Sequence, residues 1–205
     1  MIQKAKHHFL IDPFFRFYVI WKMKRAFYSV YFSGEITDRK KPVLLIANHI
    51  SWWDGIWALY FNRRFFHRKF YFMMLEEQLR KNWFFSYTGG FSIRKKSRSV
   101  LETIDYTAKL LSNRNNLVLL FPTGEIQSMH SNKFIFEKGV EKILQKVKNE
   151  IQVVFMVNLV DYFSNSKPAL YTYFEEYSNG CTTPEMEKEF TRFYNRCVNI
   201  QKEKR

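Results

Sequence analysis

Apolar residues recur along this chain in two alternating rhythms. Unbroken runs, VLLIA at 43–47, FYFMML at 70–75, NLVLLF at 116–121, VVFMVNLV at 153–160 and ALYTYFEE at 169–176, read as buried strands. GGFSI at 89–93 adds a turn and a brief strand. Helices are predicted between them at 51–62, 76–85, 99–113 and 134–148, with a polar helix at 184–204 closing the chain. Leu101, Ile104, Ala108 and Leu111, and then Val140, Ile143, Leu144 and Val147, stand at helical spacing on one face each. Strands alternating with helices of this length predict an α/β sheet protein.

The stretch HHFLIDPFFRFYVIWKMKRAFYSVYF, residues 7–32, has a different grain. Asp12, Arg16, Lys22, Lys24 and Arg25 interrupt it, so no run reaches the roughly 20 apolar residues of a spanning helix. Charges also break any signal-peptide centre. Aromatic side chains interleaved with cations predict an amphipathic helix lying in the lipid headgroup layer, with Pro13 in its first turn. The bland alternative is an amphipathic helix packed on the domain itself. A boundary is expected near residue 35, between a membrane-surface helical segment (1–35) and an α/β domain (36–205).

Composition sharpens this picture in two ways. A chain of 205 residues suits one domain with a substantial core. Its formal charge of +14 and its 19% aromatic content describe a basic surface with aromatic anchors, suited to anionic lipid, nucleic acid or an acidic partner. No finger, RNP-type or helix-turn-helix signature is present and the aromatics lie in apolar runs, which argues against nucleic acid. Cys181 and Cys197 have neither metal-ligand nor disulfide-framework spacing and read as free thiols of a reducing compartment.

Three constellations carry candidate chemistry. In NHISWWD, His49 follows a buried strand and Asp54 falls in the first turn of a helix. Ser51 and Asp54 also fit a capping box, which is the structural explanation of the same residues. On one continuous helix, positions five apart would sit about 140° apart. A loop histidine and a first-turn aspartate can meet, and the carboxylate would then fix the imidazole tautomer. In GGFSIRKKSR, two glycines precede Arg94, Lys95, Lys96 and Arg98, a setting for an anion or simply a solvated basic loop. In FPTGEIQS, Thr123, Gly124 and Glu125 turn sharply off a strand, where backbone N–H groups can meet an oxyanion.

Taken in order, NHISWWD, GGFSIRK and FPTGEIQS resemble the first three sequence blocks of the glycerolphosphate/lysophospholipid acyltransferases, and FEKGVEKI resembles the helix start that follows them. The resemblance spans about residues 30–175. It implies a mixed sheet flanked by helices, His49 as general base with Asp54 orienting it, and no metal or resident cofactor. It also implies an acyl-CoA or acyl-ACP donor, a lyso-lipid acceptor, and a place on the cytoplasmic face of a membrane. Lys95 stands where the family has the second-block arginine, and Thr123, Glu125 and Ile126 replace the third-block Glu, Thr and Arg. The family's arginines are taken to hold the acceptor's phosphate, so these departures point to altered acceptor recognition, in which Arg94, Lys95, Thr123, Gly124 and Glu125 are the acceptor-binding candidates. A catalytically inactive lipid-binding protein on the same fold is the alternative reading.

Overall fold

In a computed structural model, which describes residues 2–95, 97–180 and 182–204, the apolar runs become one seven-stranded sheet. Along the chain come α1 (Ile11–Ala26), β1 (Ser29–Ser33), β2 (Val43–Ala47), α2 (Asp54–Phe65), β3 (Lys69–Leu75) and α3 (Glu76–Lys81). A 3-10 helix (Trp83–Thr88), β4 (Gly90–Ile93), α4 (Ser99–Leu110) and β5 (Asn116–Leu120) follow. The chain continues through α5 (Gly139–Lys146), β6 (Gln152–Asp161), β7 (Ala169–Tyr177) and α6 (Thr183–Lys202). Spatial order is β1-β7-β6-β2-β5-β3-β4. All neighbours pair parallel except β6 with β7, so the sheet is mixed.

Every residue of β2 and β5 is buried, because helices cover both faces. Successive side chains leave a strand on opposite sides. Val43, Leu45 and Ala47, with Leu117, Leu119, Val154 and Met156, meet Val19 and Met23 of α1 and Ile56, Trp57 and Leu59 of α2. Leu44 and Ile46, with Val118, Leu120, Phe155 and Val157, meet Ile104 of α4, Val140 and Ile143 of α5, and Phe190 of α6.

Three expectations shift. The helix expected over 134–148 is shortened to α5, because the backbone before it is claimed elsewhere. The Phe136 N–H donates to Glu187 (2.7 Å) and the Glu137 N–H to the Pro122 carbonyl (2.8 Å), while Phe134 and Phe136 pack on Phe190. Residues 51–53 form a turn, and α2 begins only at Asp54. The capping box is half built: Asp54 accepts the Ser51 N–H (2.9 Å), but the Ser51 hydroxyl accepts from Trp53 (3.1 Å). The strand β1 is absent from the predicted elements, and it lies on the N-terminal side of the boundary expected near residue 35. It pairs with β7 as an edge strand with no fully buried residue, so its sequence SVYFS carries little apolar signal.

The N-terminal segment is tied to the sheet along its length. Gln3 and Ser92 exchange hydrogen bonds of 2.8 and 2.9 Å, and the Lys6 and His8 amides donate to Ser86 and Tyr87. The helix α1 contains Pro13 in its first turn, as expected. It is apolar on two opposite stripes rather than amphipathic. Val19 and Met23 face the core, while Leu10, just before the helix, and Phe14, Phe17 and Trp21 form an exposed stripe about half a turn away.

At the other end, Cys197 is buried in α6 and burial pushes its thiol up to about 12. A thiol so held presents almost no thiolate near pH 8. Iodoacetamide treatment of the native protein at that pH, followed by peptide mapping, is expected to leave Cys197 unmodified until guanidinium is added. Prompt labelling of native protein would contradict the packing of α6. Cys181 lies outside the described residues.

Candidate active site

At the carboxyl edge of β2 the chain leaves the sheet through Asn48 and His49. Asn48 is buried, and its side-chain amide donates to the Asn158 carbonyl (2.9 Å) while its side-chain oxygen accepts the Asn158 N–H (2.8 Å). Thr172 donates to the Asn158 side chain (2.8 Å), extending the network across β6 and β7. This ladder of amides fixes the backbone that carries His49. Sequence reasoning passed over Asn48; the available signal was a polar residue closing an apolar run next to the histidine. Asn48→Ala would leave a buried N–H and a buried carbonyl unpaired, a loss of about 1–3 kcal/mol. An unchanged urea midpoint in that variant would refute the role.

His49 Nδ1 stands 2.7 Å from Asp54 Oδ2. The same oxygen accepts the Ile50 N–H (2.7 Å) and the Ser51 N–H (2.9 Å), so three donors converge on it. An ionised carboxylate only accepts hydrogen bonds, which places the imidazole proton on Nδ1 and leaves the Nε2 lone pair for chemistry. Asp54 is fully buried, and its Oδ1 has no hydrogen-bond partner among the described residues. Burial pushes its carboxyl up, against the pull of His49 and the two amides. Phe121 stacks on the imidazole at 3.9 Å with the planes 8° apart, and the Gln127 N–H donates to the His49 carbonyl (2.7 Å). Loop 121–127 thus holds both the ring and the backbone of His49.

The second and third constellations meet at this edge, because β4, β3, β5 and β2 lie side by side with their carboxyl ends together. Gly124 adopts φ +65°, a left-handed conformation that favours glycine, and a Cβ there would lie 2.8 Å from Lys95 Nζ. Thr123 is buried and donates to the Glu125 carbonyl (3.1 Å), while Glu125 and Ile126 are exposed. The Gly124 N–H is already donated to Phe121 (3.0 Å), closing the turn. It is therefore not itself the oxyanion donor that the sequence suggested near this glycine.

Among the described residues, Arg94, Lys95 and Arg98 do not act as one group. Arg94 forms a two-pronged pair with Glu76 (2.9 and 3.0 Å), and Arg80 joins the same carboxylate at 2.6 Å. The Arg94 guanidinium holds the Glu76 carboxyl below its ordinary range. Lys95 Nζ lies 3.3 Å from Glu137. Arg98 is exposed at the head of α4, and Lys96 lies outside the described residues.

A chain of aromatic contacts also reaches the site. Phe15 of α1 meets Phe85 at 5.8 Å between ring centres, and Phe85 meets Trp52 at 5.7 Å. Trp52 is exposed and lies three residues after His49. Aromatic packing therefore links α1, through the buried ring of Phe85, to the exposed Trp52 beside the His49 loop.

A buried aspartate holding a histidine tautomer, at the carboxyl edge of parallel strands with a glycine turn beside it, defines an α/β protein equipped for acid–base chemistry on a bound substrate. Comparison with known families gives that class its place: the Acyltransferase family model matches residues 29–157, and the chain belongs to this family, the glycerolphosphate/lysophospholipid acyltransferases. It is an acyltransferase enzyme. No curated protein matches the chain.

Proposed function

We propose that the protein transfers a fatty acyl chain from an acyl-CoA or acyl-ACP thioester to a hydroxyl or amine of a lyso-lipid acceptor, working on the cytoplasmic face of a membrane. The observation that carries the mechanism is the His49–Asp54 contact with its enforced tautomer. His49 Nε2 takes the proton of the acceptor O–H or N–H as that atom attacks the thioester carbonyl. The tetrahedral intermediate collapses, the C–S bond breaks, and the departing thiolate recovers the proton from the imidazolium. Asp54 remains a carboxylate throughout and stabilises the imidazolium. The charge of +14 favours approach of an anionic thioester and an anionic lipid surface.

Membrane attachment is peripheral in this reading. Among the described residues no helix is long and apolar enough to cross a membrane. Leu10, Phe14, Phe17 and Trp21 form the lipid-facing stripe, with Lys24 and Arg25 at its end and the Arg25 guanidinium 5.0 Å from the Trp21 ring centre. The intact His–Asp pair weighs against a lipid-binding protein without activity. The deciding assay follows thiol release from palmitoyl-CoA with a panel of lyso-lipids in anionic vesicles, with mass spectrometry of the products. Failure to release thiol above hydrolysis with every acceptor would overturn the proposal.

A further inference from the structure

Loops 94–98 and 123–126 would by composition hold an anion, yet the structure pairs the first two of their cations, Arg94 and Lys95, with carboxylates, while Arg98 stands exposed at the head of α4. The Arg94 fork is matched prong for prong by Glu76, whose side chain is only 11% exposed and is shared with Arg80. A phosphomonoester approaching Arg94 would have to break a bidentate pair and leave a half-enclosed carboxylate beside its own double negative charge. Lys95 rests over Gly124 and faces Glu137, and Glu125 presents a further carboxylate from the neighbouring turn. This cluster belongs to the His49 site, because Gly124 lies three residues beyond Phe121, whose ring covers the imidazole.

We infer that Glu76 and Glu137 are specificity-determining residues that exclude phosphomonoester acceptors, so that the acceptor is a lyso-lipid whose head carries hydroxyl or ammonium groups instead. The inference rests on the acyl-transfer reading and names the acceptor class for that same site. Like-charge exclusion is an effective discriminator because the wrong ligand gains no compensating contact. Glu125 is then placed to accept from the hydroxyl or ammonium group of the correct acceptor.

Two measurements test this. The first compares lysophosphatidate, a monoacylglycerol and sphingosine at equal concentration with palmitoyl-CoA. Wild type is expected to acylate the monoacylglycerol or sphingosine at least about tenfold faster than lysophosphatidate. The Glu76→Gln/Glu137→Gln variant is expected to raise the relative rate with lysophosphatidate by a similar factor. A wild-type preference for lysophosphatidate would overturn the assignment. The second uses no catalysis: glycerol 3-phosphate is titrated into His49→Ala protein, with and without the two glutamine substitutions, while the amide NMR signals of Arg94 and Gly124 are followed. Saturable shifts are expected only when both glutamates are replaced. Binding by the protein that retains both glutamates, or by neither form, would overturn it. If wild type turns over no acceptor at all, the acyl-transfer reading fails, and the titration still decides the role of the two glutamates.

Discussion

Replacing His49 by alanine is expected to lower acyl transfer by about 10²–10⁴-fold, the usual contribution of a positioned general base, with the fold retained. The side chain is partly exposed, and its main neighbours are Asp54 and the face of Phe121, so its loss disturbs little of the core. Asp54→Asn should give a loss of similar size for a different reason. One carboxylate oxygen now accepts three N–H groups, and the imidazole must present Nδ1–H to it. A carboxamide has one accepting oxygen and one donating nitrogen. If its nitrogen faces the ring, the tautomer reverses and Nε2 carries a proton it cannot exchange for the acceptor's. If its oxygen faces the ring, an NH₂ group fills the buried position where Oδ1 has no partner. The second arrangement costs about 1–3 kcal/mol of stability and removes the negative charge that would stabilise the imidazolium. Thiol release by each purified variant, with circular dichroism to confirm folding, checks both. Wild-type turnover by folded His49→Ala protein would sink the general-base mechanism.

The second large effect concerns the lipid surface. Phe14→Ser/Phe17→Ser/Trp21→Ser is expected to weaken binding to anionic vesicles by on the order of hundredfold. Burying each of these rings in the acyl boundary contributes on the order of 1–3 kcal/mol when complete, and all three are exposed in the free protein. The triple substitution leaves Val19 and Met23 in place, so the helix keeps its seat on the sheet. Removal of residues 1–30 is a poorer test, because it deletes those two core residues, the contacts of Gln3, Lys6 and His8, and part of β1. Vesicle sedimentation with the folded triple variant decides the matter, and undiminished binding would remove the stripe from the membrane-facing role.

Much of the architecture was legible because β2 and β5 are buried on both faces and therefore read as unbroken apolar runs. The edge strand β4 was legible too, but the opposite edge strand β1 was not. SVYFS of β1 has no fully buried residue, and its pairing with β7 depends on residues some 140 positions away. The helical apolar spacing begins only at Val140, and in the stretch 134–138 before it tertiary partners at Pro122 and Glu187 claim the amides of Glu137 and Phe136. At the site, the meeting of His49 and Asp54 follows from their spacing across a strand end and a helix start. The pairing of Arg94 with Glu76 did not follow, since Glu76 sits at the end of a different strand and only the parallel neighbours β3 and β4 bring the two together. Asn48 offered one signal, a polar residue closing an apolar run, which by itself does not separate a structural amide from a solvated one.

The pairing of β1 with β7 also sets an order of events during synthesis. The first strand to leave the ribosome has as its partner the last strand of the sheet. At roughly 5–20 residues per second, residues 29–33 wait on the order of ten seconds before Ala169–Tyr177 exists. For that interval the apolar side of α1 has no completed sheet to cover it. Until then the aromatic helix is uncovered on both of its apolar sides, and closure of the sheet later withdraws one of them.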